Sequence, residues 1–575
     1  MRLPTLSGAA MSREMLDTFR GYNHNLRIGD GEAWDMRNMS SDLYPVMSPR
    51  AARGLHLEAP ITGMISKEKL CYTEGTDFVM GDERYDLGLD DREKTMVSMG
   101  AFVIILPDKK YINTAQPEDR GSIEHSVTIN GSVKYQMSGI DGAAYQNTTV
   151  SDTAPENPQN GAYWVDTSGE THALKRWAAS SSQWVSIATT YVRIEAANIG
   201  KGFQQYDGVQ ISGVTAESLT DLNGTMTIWS KGDNFITVIG FLEQAATVQE
   251  SGLKVKRVMP VMDFVTESGN RLWGCRYGEN SKGEFVNEIY CSKLGDFRNW
   301  ESFMQVSTDS YMASVGTDGP FTGAVTHMGY PVFFKADCLH KVYGSIPSNF
   351  QIQTTACRGV QKGSHKSLAI VNEVLYYKAG TTVCAYDGSL PAEIGYCLGN
   401  VHYSNAVGGA HGNKYYISMM DLDGGWHLFV WDAAKKLWHR EDDFKAKGFA
   451  VNGGHFYGWE DGKVWDMLDP GTNKERVRWV WETGEIGLNM PDMKYINRLI
   501  VRMSLEMGTE VRVFGRYDFN ENWEPLFALR STGLKSFDIP IRPKRCDYMQ
   551  LRITGEGPGK VYSITRSITQ GSARS

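Results

Sequence analysis

Short apolar runs, rich in aromatic and β-branched residues, recur along most of this chain and are separated by Gly, Asn and Asp. Residues 414–418 (Lys-Tyr-Tyr-Ile-Ser) and 428–432 (Leu-Phe-Val-Trp-Asp), for example, flank a stretch rich in aspartate and glycine. This is the pattern of two strands joined by a turn. Residues 12–19 are the one segment with a helical pattern, so we expect an all-β chain.

These strand pairs recur with a rhythm. Two pairs precede residue 112, others follow from residue 271, and from residue 324 they begin about every 40 to 45 residues, the period of a four-stranded propeller blade. Because one blade cannot cover both of its own faces, blades stack around an axis. We predict a β-propeller-like body of six or seven blades over residues 55–112 and 258–486. A pair of β-sandwiches with irregular hairpins is the alternative.

Residues 113–257 interrupt the rhythm and predict an inserted β-rich module or modules. Within them, residues 154–168 hold Pro, Gly and the string Tyr-Trp-Val-Asp-Thr, and Trp164, Trp177 and Trp184 follow one another on short strands. This cassette resembles a small module of phage fibre and tail proteins. One interpretation, the less favoured, is that the three rings stack on the apolar faces of sugars. The other interpretation is that they form the core of a tiny domain.

The chain changes character near residue 487. Residues 495–503 alternate apolar and polar side chains with period two, as a half-buried strand does, and predict a C-terminal antiparallel β-sandwich over residues 487–575. Arginines are concentrated there. We consider them a possible subunit interface, with passing DNA or a solvated, intrachain-paired face as alternatives; the four chosen are Arg498, Arg502, Arg512 and Arg516.

Residues 1–54 are predicted to form an extended N-terminal segment. Residues 22–39 and 44–50 resemble the N-terminal stretches of phage virion proteins, and residues 540–547 resemble the ending of phage tail propeller proteins. The order of parts is similar to that of tail nozzle and stabilisation (tail hub) proteins.

That resemblance implies a structural component of a bacteriophage tail, synthesised in the host cytoplasm and located in the virion. It implies a self-assembled ring, expected to be a hexamer, that lines the DNA exit path and contacts other tail and adaptor proteins and, transiently, the passing DNA. The alternatives are a tail protein that binds a host-surface glycan and a glycan-degrading propeller enzyme.

Charge and composition narrow these classes. With 41% hydrophobic and 22% charged residues the chain should fold, and a net charge of -8 argues against a protein that grips nucleic-acid phosphates. No apolar run approaches the roughly 20 residues of a membrane helix, and residues 1–5 lack the order of a signal peptide. The eight cysteines form no CxxC pair, so we expect reduced, packed thiols, no metal and no cofactor.

The sequence has no recognisable catalytic motif, so we predict that the chain is not an enzyme and has no catalytic residues. Residues 421–425 (Asp-Leu-Asp-Gly-Gly) resemble the start of a calcium loop but lack its downstream acid, and a hairpin turn explains them as well. For the enzyme alternative, Asp263, Glu279 and Glu284 are candidate acids, since a glycosidase needs two carboxylates about 5 to 10 Å apart.

Overall fold

The computed structural model describes residues 11–518 and 520–571; residues 1–5, on which the signal-peptide argument rests, lie outside this part. About 52% of the described residues are strand and 3% are helix, so the prediction of an all-β chain is confirmed. The helices of the described part are short 3-10 turns: Glu217–Leu222, Pro347–Asn349, His365–Ser367 and Gly395–Leu398. None of the helices described is long and apolar enough to cross a membrane.

The chain divides into two compact units. The first comprises the described residues up to Lys94, together with Phe334–Leu339 and the described residues from Thr355 onward. The second comprises Thr95–Phe333 and His340–Thr354. Each unit contains propeller-like blades, a name used here for the four-stranded sheets outside the inserted module.

Four blades lie in the first unit. In the last of them the chain supplies three consecutive strands, and the fourth comes from the N-terminal region, pairing antiparallel with Lys463–Asp466. The strands are Ile61–Ser66, Leu70–Glu74, Asp77–Met80 and Glu83–Asp86 (blade 1); Ala369–Val371, Val374–Lys378, Val383–Tyr386 and Ala392–Glu393 (blade 5); Ser404–His411, Lys414–Met420, Trp426–Asp432 and Leu437–Arg440 (blade 6); and Gly448–Asn452, His455–Glu460, Lys463–Asp466 and Gly54–Glu58 (blade 7).

Three blades are assigned to the second unit, although Phe334–Leu339 and the end of the last strand of blade 4 fall in the first. Their strands are Thr95–Met99, Phe102–Leu106, Lys110–Asn113 and Arg120–Ser122 (blade 2); Phe264–Ser268, Arg271–Glu279, Phe285–Cys291 and Tyr311–Ser314 (blade 3); and Gly323–His327, Tyr330–Phe334, Cys338–Tyr343 and Gln351–Ala356 (blade 4). Within this unit the first strands of blades 2 and 3, and of blades 3 and 4, lie side by side.

The packing of blade 6 explains why its strands are apolar at successive positions in the sequence. Tyr415 stacks on Tyr376 of blade 5 with ring centroids 5.3 Å apart, whereas its neighbour Tyr416 contacts Phe456 of blade 7 at 4.7 Å. Successive side chains point to opposite faces of a strand, and here each face meets another sheet. Both sets of alternating positions therefore have to be apolar.

The inserted module begins later than predicted, since residues 110–122 complete blade 2. It contains two sheets. A seven-stranded sheet has the order Gly224–Thr227, Gly208–Ser212, Ala246–Arg257, His125–Ser138, Tyr191–Glu195, Phe235–Ile239 and Ser230–Gly232. The cassette forms the second, called here the cassette sheet: Thr149–Ser151, Tyr163–Asp166, Ala173–Ala178 and Gln183–Ser186.

The C-terminal region forms two sheets around a shared core that includes Val501, Met503 and Val513. One sheet has five strands: Met11–Leu16, Gly559–Gln570, Lys494–Leu505, Gly533–Ile539 and, also on Lys494–Leu505, Arg545–Cys546. The other has six: Gly21–Tyr22, Glu32–Arg37, Arg478–Thr483, Met549–Glu556, Glu510–Tyr517 and Glu524–Arg530. A further strand pair joins Met39–Ser40 and Ser48–Pro49.

The N-terminal region differs from its prediction, because its described residues are not a separate extended segment. Met11–Leu16 is a strand, antiparallel to Gly559–Gln570, so the helical prediction for residues 12–19 is wrong. Glu32–Arg37 pairs with Arg478–Thr483. Backbone pairing with a distant strand outweighs a weak local helical preference of fractions of a kcal/mol per residue. The sandwich consequently includes both ends of the described chain and begins before residue 487.

Candidate functional site

The cassette sheet has one face in the core of the inserted module and one face that carries the tryptophans. Val165 and Leu174 are fully buried and pack with residues of the seven-stranded sheet. The strand register places Trp164 opposite Lys175, and Trp177 opposite Trp184. Directly opposed residues share a face of an antiparallel pair. The three tryptophans predicted from sequence are therefore brought together on one surface, called here the tryptophan face.

The three rings make a continuous cluster with unequal exposure. Trp184 lies edge-on between the other two, with centroids 5.3 Å from Trp164 and 5.4 Å from Trp177. Trp164 is 5% exposed, and its indole N–H donates to the Ser151 carbonyl at 3.0 Å. Trp177 and Trp184 are only partly buried. Trp164 is thus a core residue of this small sheet, and the other two rings remain accessible.

Polar groups accompany the rings. The Lys175 ammonium lies 5.0 Å above the Trp164 ring and 2.6 Å from the Asp166 carboxylate. Hydrogen bonds from Lys175 and Ser168 lower the pKa of Asp166 to about 2, so this carboxylate is ionised at neutral pH. Within the described part of the chain, the indole N–H groups of Trp177 and Trp184 have no acceptor. Apolar ring faces and unused donors together suit a ligand with both apolar faces and hydroxyl groups.

The structure distributes the four arginines over the two sheets of the sandwich and gives each an intrachain partner. On the five-stranded sheet, Arg498 pairs with Asp538 at 2.7 Å and Arg502 donates to Ser536 at 3.4 Å. On the six-stranded sheet, Arg512 pairs with Glu510 at 2.8 Å and Arg516 donates to Gln550 at 2.6 Å. Arg516 also stacks over Trp523 at 4.6 Å. Their assignment to a subunit interface stays a prediction.

The three candidate acids lie in blade 3 or immediately next to its strands. Asp263 forms an ion pair with Arg276 at 2.6 Å, whereas Glu279 and Glu284 are exposed beside the hairpin turn that follows the same strand. The side chain of Glu284 accepts a hydrogen bond from Asn280 at 3.0 Å. None of these three carboxylates is buried among apolar groups, the setting that raises the pKa of a general acid.

The interpretation of residues 421–425 as a hairpin turn is confirmed. One oxygen of Asp421 accepts the backbone N–H groups of Asp423 and Gly425 at 3.0 and 2.8 Å, and the other lies 2.7 Å from His427 Nε2. The turn joins Lys414–Met420 to Trp426–Asp432. The carboxylate that would begin a calcium loop closes the turn instead.

Sequence reasoning missed one group of potential ligands, His455, Asp466 and Asp469, which lie together on blade 7. They are 11 and three positions apart, a spacing that matches no metal motif. The one local signal was the pair of glycines before His455, which marks a tight hairpin.

Comparison with known proteins gives likeness of fold only. No protein-family model matches, and no curated protein matches. Solved structures include exo-β-1,3-galactanase from Phanerochaete chrysosporium (9% identity, 52% of this chain and 94% of that chain, TM-score 0.22) and Trypanosoma rangeli sialidase (9%, 91% and 96%, TM-score 0.21). A glycoside hydrolase family 43 arabinoxylan arabinofuranohydrolase from Bacillus subtilis is 8% identical, over 70% of this chain and 93% of that chain, with a TM-score of 0.17.

These neighbours contradict the prediction that the chain is not an enzyme, because they are a galactanase, a sialidase and a glycoside hydrolase. The prediction is withdrawn. At such identities and TM-scores the likeness assigns no substrate, reaction or catalytic residue to this chain.

Proposed function

We propose that this chain is a bacteriophage tail protein that binds a host-surface glycan through the tryptophan face of its inserted module. The observation that carries the proposal is the pair of accessible rings, Trp177 and Trp184, held in place by the buried Trp164. The flat apolar face of a pyranose packs on such rings, and its hydroxyl groups accept hydrogen bonds from indole N–H groups.

The fold supports this use of the module. The cassette sheet is anchored by Val165 and Leu174 on its opposite face, so its tryptophan face can be occupied without disturbing a core. A surface of ordered rings loses little conformational entropy on binding. The tail assignment rests on the resemblance of the cassette, the N-terminal stretch and the C-terminal ending to phage tail proteins.

Binding of the full chain to cell-wall polysaccharide from candidate bacterial hosts tests the proposal, measured by sedimentation and calorimetry. Loss of one stacked ring typically weakens a site about tenfold, equivalent to about 1.4 kcal/mol. We therefore expect Trp177→Ala and Trp184→Ala each to weaken binding by about that factor or more. Assaying the same mixtures for new reducing ends shows whether the bound glycan is also cleaved.

Val185→Ala is the matched control, since Val185 is next to Trp184 on the same strand, points to the opposite face and is 51% exposed. It should leave binding unchanged. Melting curves of all variants separate lost binding from lost folding. Unchanged affinity in both tryptophan variants would refute the assignment of the site.

A ring-forming tail nozzle or hub is the second candidate. The observation that favours it is the arginines on both sheets of the sandwich, Arg498 and Arg512 being more than half exposed, in a chain of net charge -8. Closed rings use contacts between unlike patches, so in a ring these arginines would exchange their intrachain partners for carboxylates of a neighbouring copy. Imaging of particles distinguishes the candidates: a six-fold ring on the tail axis supports the nozzle, and single copies at fibre tips contradict it.

A further inference from the structure

Blade 7 brings together three side chains whose ligand atoms all lie within 4.8 Å of one another: His455, Asp466 and Asp469. His455 and Asp469 are exposed, and Asp466 is buried. Imidazole nitrogen and carboxylate oxygen are ligands of zinc and related transition metals. The group lies in the first unit and shares no residue with the inserted module.

The hairpin that opens blade 7 positions His455. Gly453 and Gly454 both have positive φ, 58° and 85°, in the two-residue turn between Asn452 and His455. Two successive positive φ angles are readily adopted by glycine and poorly by most other residues. His455 therefore begins its strand at a defined register and lies two residues from Tyr457, which pairs with Asp466. His455 and Asp466 thus share one face of the sheet.

Asp466 organises the rest of the group. One of its oxygens accepts the backbone N–H groups of Leu468 and Asp469, at 3.1 and 3.0 Å, which folds the following loop back toward the strand. Its other oxygen lies 2.6 Å from His455 Nδ1. This geometry sets the Asp469 carboxylate beside the other two groups, so an ion in place of the proton between His455 Nδ1 and Asp466 would meet all three.

A second histidine approaches from the N-terminal strand of the blade. His56 is the extra residue at the register shift where Leu55 and Leu57 pair with Trp465 and Val464. The centroid of its ring lies 4.6 Å from that of Tyr457, and the centroid of the His455 ring lies 6.0 Å from that of the same tyrosine. His56 is nevertheless outside the group, because it is not among the residues whose ligand atoms all lie within 4.8 Å of one another.

We propose that His455, Asp466 and Asp469 bind one divalent metal ion of the zinc class. Three protein ligands, one nitrogen and two oxygens, leave the fourth position of a tetrahedral zinc site to water. The ligands come from two strands of the blade, His455–Glu460 and Lys463–Asp466, and from the loop that follows them, so the ion would fix that loop to the sheet. Binding to the folded chain alone stabilises it.

Titration of the full chain with zinc chloride, followed by calorimetry and by melting temperature, tests the site. We expect one zinc ion to bind to this group in each chain. Bound zinc should raise the melting temperature. His455→Ala and Asp469→Asn should each weaken that binding by more than about tenfold. His56→Ala should leave zinc affinity unchanged, because His56 lies outside the group, and a loss of binding in that variant would overturn the three-ligand arrangement.

His427→Ala is the matched control, because His427 pairs with a single carboxylate, Asp421, at 2.7 Å on blade 6. It should leave zinc affinity unchanged. Cobalt in place of zinc should give the visible absorption of a tetrahedral site in the wild-type chain and lose it in His455→Ala. No zinc binding, or binding indifferent to both His455→Ala and Asp469→Asn, would show that His455 and Asp466 form an ion pair and nothing more.

Discussion

At the scale of single residues, burial decides how several polar groups behave. His439, on the last strand of blade 6, is 6% exposed, and its Nδ1 has no hydrogen-bond partner among the residues described. Burial, with a smaller contribution from Lys414, lowers the pKa of His439 to about 3, although Asp432 and Asp42 oppose the shift. The imidazole is therefore neutral in the folded chain across the physiological range.

This burial predicts acid destabilisation with a definite sign. A free histidine has a pKa of about 6.5. Between that pH and about pH 3, His439 is therefore protonated in the unfolded chain and neutral in the folded chain. The free energy of unfolding should therefore fall by about 1.4 kcal/mol for each unit by which the pH is lowered within this range. His439→Gln should flatten the decline, as measured by urea unfolding at several pH values.

His402→Gln provides the comparison, since His402 is exposed. Its pH profile should follow that of the wild-type chain. A His439→Gln profile as steep as the wild-type one would show that this imidazole is not the group responsible.

At the scale of elements, a buried charge network holds the N-terminal region against the loop that follows blade 6. Arg53 pairs with Glu441 at 2.7 Å and with Asp442 at 2.8 Å, and Arg50 pairs with Asp442 at 2.9 Å. The side chains of all four are at most 14% exposed. Burial alone would raise the pKa of Asp442, but the two guanidinium groups hold it below its ordinary value.

Removing one charge from this network should be costly, because it leaves a buried guanidinium without its full complement of partners. We expect Asp442→Asn to lower the free energy of unfolding by about 3 kcal/mol. Since the folded pKa is depressed, the stabilisation is present above about pH 4 and is lost as the pH falls through the folded value. Urea unfolding of the wild-type chain and Asp442→Asn at pH 7 and at pH 3 measures both effects.

Asp443→Asn is the control, because the side chain of Asp443 is 74% exposed and pairs with Arg37 at the surface. Exposed pairs contribute about 0–1 kcal/mol. Equal stability losses in the two variants would contradict a special role for the buried network.

At the scale of the whole molecule, the inserted module is connected to the blades of the second unit at two adjacent points of the chain. His125, at the start of the seven-stranded sheet, pairs directly with Arg257 at its end. The two chain crossings are therefore about 5 Å apart between Cα atoms. An insertion with adjacent ends can be added to a loop between two blades at small entropic cost.

This arrangement predicts that replacing residues 125–257 with a short glycine-serine linker leaves a folded remainder. The remainder should unfold cooperatively but at a lower midpoint, because Asn299 of the second unit loses its hydrogen bonds to Gly208 and Tyr206. Circular dichroism and denaturant unfolding test the prediction. A remainder without a cooperative transition would mean that the module is an integral part of the unit.

Local sequence was sufficient for the blades and for the tryptophan face. Runs such as Lys414–Met420 are apolar at successive positions because other blades cover both of their faces. Turn residues mark their ends, and Trp164, Trp177 and Trp184 come together through short-range hairpins between neighbouring strands. Strands, turns and this tryptophan cluster depend on contacts within a few tens of residues, so they can be predicted from the sequence without knowledge of the fold.

Long-range pairing was decided by the tertiary structure alone. Nothing local shows that Met11–Leu16 pairs with Gly559–Gln570, or that Gly54–Glu58 completes blade 7, because backbone hydrogen bonds between strands are the same whatever side chains they carry. The group of His455, Asp466 and Asp469 has the same origin, a hairpin register and a loop folded back onto it. The burial of whole sheets determines which distant strands pair. Side chains brought together by such pairing have no characteristic spacing in the sequence.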